Sequence, residues 1–402
     1  MSEPVAVERG TARTVVPGIA MIAVTFGLAR YGYGLLLPEI RAEFGMGADA
    51  AGLISSGAYL SYLAANAGVV GVTARFGPRT AVGLAAGLAA GGMAVIAVAG
   101  SVVALALGVV IAGAAAGLAY PPYADLVDRQ VMAPKRDLAW SAISSGTGWG
   151  VAVAGPIAIV AGDHWRVAWA GFVVLAVAAG ALAVRLAPAH DGQRLRRPQL
   201  SWTWFFCPRS RPLLVSAVIV GVTSSVWWAF GVDAMRTGGI DASTARIVYA
   251  ACGVASVLAS FSGAAYDRLG LRAGYLAVCG LLAASLAIFG LAFEHVSAAL
   301  LGAVAFGIFY CAIIAAQGIW SSRVFSEHPS AGLAAVNTAL TLGTLLGPTL
   351  AGVALEHLGY GRTLVGAALL TVAAVPFCPP GARRSLVLAE HDDVCTAAPV
   401  QP

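Results

Sequence analysis

The sequence predicts an all-α polytopic membrane protein, with twelve transmembrane helices set out as two six-span halves. Three observations predict it. Hydrophobic residues make up 59% of the 402 positions and charged residues only 11%, against about 25% charged in soluble domains. So few charges cannot cover an aqueous surface, and a single soluble core stops growing at about 250–300 residues. Twelve uncharged stretches approach the ~20 residues that a ~30 Å hydrocarbon core requires, and two motifs recur at one offset of 192 residues.

In chain order the stretches are 15–37, 50–73, 80–100, 102–124, 138–161 and 167–184, then 212–232, 247–266, 273–293, 296–322, 330–355 and 363–382. Residues 1–14 hold Glu3, Glu8, Arg9 and Arg13 and read as a cytoplasmic tail; the apolar run after them is too long for a signal-peptide core and reads as a retained span. The third and fourth spans are separated only by Gly100-Ser101, and the ninth and tenth only by Glu294-His295, so both pairs are tight hairpins. Tyr120-Pro121-Pro122 should break the fourth span near its inner end. Between the halves runs the longest polar stretch, with six arginines from Arg185 to Arg211; its charge reads as topology and headgroup attraction. The divisions are a first bundle at 15–187, a cytoplasmic loop at 188–211, a second bundle at 212–382 and a cytoplasmic tail at 383–402.

Basic residues orient the chain, because short loops rich in Arg and Lys stay in the cytoplasm. With both termini inside, 18 of the 24 basic residues lie on that side, while Arg41, Arg166, Arg236, Arg246 and Arg362 lie outside. A multi-pass protein of the cell membrane, inner or plasma, follows. The basic residues form no long run interleaved with aromatics, which excludes nucleic acid as a partner. The six cysteines are scattered without a CxxC pair, so neither a disulfide framework nor a metal site is indicated. No Walker-type glycine loop is present, so ATP is not the energy source.

The repeat is legible in two places. Gly71-Val-Thr-Ala-Arg75-Phe-Gly77-Pro-Arg79 follows the second span, and Gly263-Ala-Ala-Tyr-Asp267-Arg268-Leu-Gly270-Leu-Arg272 follows the eighth. Gly155-Pro156 in the fifth span matches Gly347-Pro348 in the eleventh, again 192 residues on. On these residues the chain resembles the major facilitator superfamily over essentially its whole length. Residues 263–272 match that family's Gly-x-x-x-Asp-Arg-x-Gly-x-Arg loop fully, whereas the first copy has Ala74 in place of the aspartate. Leu37-Pro38-Glu39-Ile40 with Phe44-Gly45 also looks like the family's exit from the first helix. Gly343-Thr-Leu-Leu-Gly347-Pro348 resembles the antiporter subgroup's element, but it sits in the eleventh span; the fifth has Val151 at the leading glycine.

The resemblance implies two pseudo-symmetric six-helix bundles around a central site near the midplane, exposed to each side in turn. It implies that Arg75, Arg79, Asp267, Arg268 and Arg272 take part in gating at the inner mouth. Asp125 stands where it can pair with Arg75 or Arg79 in place of the missing aspartate.

The one charged residue inside the twelve stretches is Arg30. It precedes Pro38 by eight residues, which at 1.5 Å per residue puts it about 12 Å inside the helix end. A guanidinium at the bilayer centre costs at least ~2.5–3.5 kcal/mol and does not deprotonate. Two readings fit: Arg30 binds a carboxylate or phosphate of the substrate, or it caps carbonyls freed at a broken helix. The spans offer no carboxylate partner, which favours the first. Around it Tyr33 lies one turn on, and Ser55, Tyr59, Tyr62 and Asn66 share a face of the second span. Tyr310 and Gln317 share a face of the tenth, and Asn337, Thr341 and Thr344 one of the eleventh. At the same offset Trp149 answers to Thr341. For each of these the competing reading is a helix–helix hydrogen bond. Trp227 and Trp228 are either interface anchors or ligand contacts.

The expected function is secondary or facilitative transport of a small organic anion, anchored at Arg30 and lined by Tyr33, Tyr59, Tyr62, Asn66, Trp149, Tyr310, Gln317, Asn337 and Thr341. The alternative is proton-coupled efflux of hydrophobic compounds. An enzyme would need a nucleophile beside a base, and the spans hold neither histidine nor carboxylate. No cofactor is expected. The expected partners are the substrate, a coupling proton or counter-anion, and the lipid bilayer, with the chain acting as a monomer.

Overall fold

Helix is the only regular structure among the described residues, which in this computed structural model are 3–186, 209–326 and 329–380. The first span is compound. An α-helix, Glu3–Ile22, passes into a π-helical segment, Ala23–Leu28, and after a turn resumes as Gly32–Leu35 and Leu37–Phe44. Spans two to six are Ala48–Phe76, Pro78–Ala97, Val102–Gln130, Arg136–Ala161 and Trp165–Leu186. Arg211–Thr237 is the seventh, and the eighth runs from Ala242–Val257 through the 3₁₀ turn Leu258–Phe261 into Ser262–Leu269. Leu271–Ala292 and Val296–Val324 follow, and Pro329–Val372 is bent at Gly359 (φ 76°) into the eleventh and twelfth.

Nine helices among the described residues are long and apolar enough to cross a membrane, the ninth being the bent one. The shorter apolar helices Ala12–Leu28 and Ala242–Val257 complete the expected twelve. Two details differ from expectation. The first helix begins at Glu3, where a tail was expected, since Ala6, Glu8 and Ala12 are strong helix formers. The fourth span continues through Pro121 and Pro122 to Gln130, because neighbouring helices can satisfy the carbonyls that proline frees. Residues 188–208 of the expected central loop at 188–211, and the expected tail at 383–402, lie outside the described residues.

Reversals between spans two and three and between eight and nine explain the glycines of the repeated motif. Gly77 and Gly270 sit at φ 82° and 78°, each ending one helix and starting the next within a single residue. Any residue with a Cβ is strained there.

Small residues set the packing. A methyl group added at Gly27 would lie 2.4 Å from Gly150 Cα, and one at Gly343 would lie 2.9 Å from Gly221 Cα. The first helix therefore meets the fifth as the seventh meets the eleventh, backbone nearly on backbone. Three more pairings repeat between the halves: third with fourth and ninth with tenth, second with fourth and eighth with tenth, third with sixth and ninth with twelfth. These equivalences make the two six-helix bundles pseudo-symmetric. The bundles join where the second helix packs on the eleventh and the fifth on the eighth. Gly52 abuts Pro348 O and Gly148 abuts Gly253 O in those seams.

Candidate substrate-binding site

Arg30 sits where the first span loses its regular helix. Ala29 N bonds Val24 O at 2.8 Å and Tyr31 N bonds Phe26 O at 3.2 Å, both five residues back. A π-bulge of this kind shifts the side chains after it and commonly marks a functional site. Gly27 and Gly32 permit the close packing around it: Gly27 touches the fifth helix, and Gly32 lies beside Trp169 and Phe172.

Aromatic rings surround the guanidinium. Its carbon lies 4.2 Å from the Tyr59 ring centroid, 4.6 Å from Tyr62, 5.5 Å from Phe26 and 5.9 Å from Tyr31. Each contact contributes about 0.5–2 kcal/mol, so together they offset the insertion cost of the cation. Ring faces do not satisfy N–H donors, however, and Arg30 Nε is buried without a hydrogen-bond partner. The three ion pairs between described residues leave Arg30 out.

The structure gathers some of the expected residues and disperses others. Tyr59 and Tyr62 face Arg30, and Asn337 Nδ2 donates to Tyr62 Oη at 3.2 Å, linking the eleventh helix to the second. Asn66 is half-buried one turn further along the second helix. Tyr310 stacks on Phe306 at 5.4 Å and meets Trp228 edge-on at 5.9 Å; Trp228 in turn stacks on Tyr31 at 4.1 Å. Tyr33 turns away from Arg30 towards Ala51 O, 3.5 Å distant. Thr341 and Thr344 donate to carbonyls of their own helix, at 2.7 and 3.0 Å. Gln317 is fully buried within the second bundle, donating to Ser216 Oγ at 2.9 Å beside Tyr275. Trp149, 45% exposed, shares one helical face with the exposed Leu138, Val153 and Val160. That apolar stripe faces lipid, and the polar offset partner Thr341 gave no sign of it.

Both tryptophans of the seventh helix are buried, not set in an interface belt. Trp228 helps roof the site: Tyr249 Oη donates to Tyr31 O at 3.1 Å, and a methyl group at Gly34 would fall 1.9 Å from Trp228 O. Above this roof is a layer of charge that the sequence reading assigned to loops. Arg41 pairs with Asp233, and Tyr360 donates to the same carboxylate oxygen. Arg246 bonds Glu39 at 2.8 Å and the carbonyls of Ala158 and Gly162 at 3.0 Å each. Glu356 Oε1 accepts from Ala48 N at 2.6 Å. Arg30 is thus not the only charge inside the bundles: it is itself partly exposed, whereas Asp233 and Arg246 are 5% and 2% exposed. Arg41 and Asp233 are 192 residues apart, the offset of the repeat. Two positions exchanged by a two-fold axis meet only on that axis, so this pair marks the centre of the mouth.

The opposite mouth differs. Arg75, Arg79, Asp267, Arg268 and Arg272 are exposed and form no ion pair with another described residue. The side chain of Asp125 lies outside the described residues. Among the described residues, hydrogen bonds between the bundles end at Tyr62–Asn337, and the fourth and tenth helices make no extended contact. The Arg41 mouth is closed by side-chain bonds, and among the described residues the Arg79 mouth has no such closure.

Two pseudo-symmetric bundles of membrane-length helices about a central polar group, bonded to each other at the Arg41 end, are the architecture of a membrane transporter. The chain belongs to the Major Facilitator Superfamily, whose profile matches residues 19–232. Among solved structures it is similar to a bacterial homolog of the human lysosomal transporter Spinster, inward-facing and unoccupied. The TM-score is 0.75 at 15% identity, covering 94% of this chain and 97% of that one. It is also similar to the nucleoside transporter NupG, with TM-score 0.72 at 13% identity over 92% of this chain and 98% of that one. No curated protein matches the sequence.

Proposed function

We propose that the protein carries a small organic anion across the cell membrane by alternating access, with Arg30 as the charge anchor. One observation carries the reading: a mid-membrane guanidinium with an unpartnered Nε and no carboxylate in reach. An anion that fills the fork supplies charge-assisted hydrogen bonds that the rings cannot. The excess of basic residues on the opposite side assigns the Arg41 mouth to the outside and both termini to the cytoplasm. The structure is then the inward-open state. In the outward-open state Arg75, Arg79, Asp125, Asp267, Arg268 and Arg272 close the inner mouth, and Arg41–Asp233 and Arg246–Glu39 separate. A coupling proton or counter-anion accompanies the cycle.

The rival is efflux of hydrophobic compounds, favoured by the ring contacts Phe26–Tyr120 at 5.3 Å and Tyr120–Trp140 at 5.0 Å. Flux into proteoliposomes decides between them. Losing charged hydrogen bonds worth about 1.5–3 kcal/mol lowers anion affinity about ten- to a hundredfold in Arg30→Gln. Unchanged flux in Arg30→Gln, together with expulsion of a lipophilic cation, would refute the anion reading.

A further inference from the structure

We infer that the anion held at Arg30 bears a single negative charge on a flat, apolar body, the chemistry of an aromatic monocarboxylate; this rests on the reading of Arg30 as anchor. Charge sets the first limit. Arg30 is in none of the ion pairs between described residues, and the buried pairs Arg41 with Asp233 and Arg246 with Glu39 already match one another at the closed mouth. A second negative charge on the ligand would stay unmatched in a low-dielectric site, and a neutral ligand would leave the fork of Arg30 unfilled.

Shape sets the second. From Arg30 a wall of rings leads towards the open mouth: Phe26 lies 5.5 Å from the guanidinium carbon, Tyr120 edge-on to Phe26 at 5.3 Å, and Trp140 edge-on to Tyr120 at 5.0 Å. All three are partly exposed. Two hydroxyls along this wall already have a partner: Tyr120 donates to Ser144 Oγ at 2.8 Å and Tyr62 accepts from Asn337 at 3.2 Å. Ring faces and edges are most of what the wall presents to a ligand, so a polyhydroxylated body would enter with most of its hydroxyls unpaired. A carboxylate seated on the fork is coplanar with the guanidinium. A flat body continues from it along the rings in stacked or edge-on contact.

Thermal unfolding of the purified full chain in detergent, with benzoate, acetate, gluconate, phthalate and benzamide at matched ionic strength, tests this. Benzoate should stabilise with an apparent Kd at least tenfold below those of acetate and gluconate. Phthalate and benzamide should give no shift, and Arg30→Gln should abolish the benzoate effect. Should Arg30→Gln fail to fold, Tyr59→Leu gives the second readout: benzoate weakened at least fivefold, acetate unchanged. If acetate or gluconate equals benzoate and both are lost in Arg30→Gln, the flat body is wrong and the anchor stands. Phthalate binding better than benzoate overturns the single charge. Benzamide equal to benzoate, benzoate binding that survives Arg30→Gln, or no response to any anion overturns both the inference and the anchor.

Discussion

Asp233 lies 5% exposed between Arg41 and Tyr360, and its charge is balanced by Arg41 alone. Asp233→Asn keeps a hydrogen-bonding group for Tyr360 but removes the charge opposite Arg41. Breaking a buried pair costs ~3–5 kcal/mol; Arg41 keeps 22% of its side chain in solvent, which lowers this to about 1–3 kcal/mol. That is about five- to 150-fold in the ratio of closed to open outer mouths. Ala229→Cys, buried in the seventh helix beside Gly34, reports it. Its rate of labelling by a membrane-impermeant thiol reagent should rise about tenfold in Asp233→Asn and return in the charge-swapped Arg41→Asp/Asp233→Arg chain. An unchanged rate would show that the pair does not hold the mouth. Residue by residue, the sequence revealed Arg30 because no other charge interrupts a span. It hid Asp233 and Arg246 because both sit within a turn of a helix end, where an apolar window simply stops. The signal for Asp233 was the repeat itself, which sets Arg41 on Asp233; the repeat carries none for Arg246, whose partner Glu39 lies 207 residues away.

Helices meet through glycines, and one contact is both tight and tied to the closed state. Gly34 of the first span lies against Trp228 O of the seventh, and in the proposed cycle the outer ends of these two helices part. Gly34→Ala places a methyl group 1.9 Å from that oxygen, a separation no backbone tolerates without moving. The closed outer mouth should be lost, with net flux down more than tenfold and Ala229→Cys labelled faster. Gly87→Ala, where nothing lies within 4 Å, should transport as the parent does. Equal flux in the two variants would remove the seam from the cycle. The spans were legible because hydropathy reports burial in lipid directly, and the loop glycines were legible because a one-residue reversal needs positive φ. The π-segment Ala23–Leu28 was not, since its apolar residues fit either helix and only tertiary contact selects the wider turn. Trp149 misled for a related reason: the offset equates positions in the two halves, but the residue types there differ, and an indole on the lipid face satisfies the same backbone as a threonine in the core.

At the scale of the molecule, everything said about direction hangs on which side of the membrane the Arg41 mouth faces. The arrangement of the bundles fixes that mouth as closed but is silent on sidedness, because the same helices inserted upside down keep every contact. Sidedness comes only from the loops, where 18 of the 24 basic residues lie on the Arg79 side. Each Lys or Arg near the cytoplasmic leaflet gains ~1 kcal/mol from anionic lipid, so inversion would forfeit several such contributions at once. In a chain whose six native cysteines are replaced by serine, two reporters read the outcome. His295→Cys, in the hairpin between the ninth and tenth helices, should react with an impermeant thiol reagent added to intact cells. Arg79→Cys, exposed at the start of the third helix, should react only after permeabilisation. The reverse pattern would turn the structure into an outward-open state, move Arg41–Asp233 to the cytoplasmic gate and place the aromatic wall below Arg30 on the route from outside.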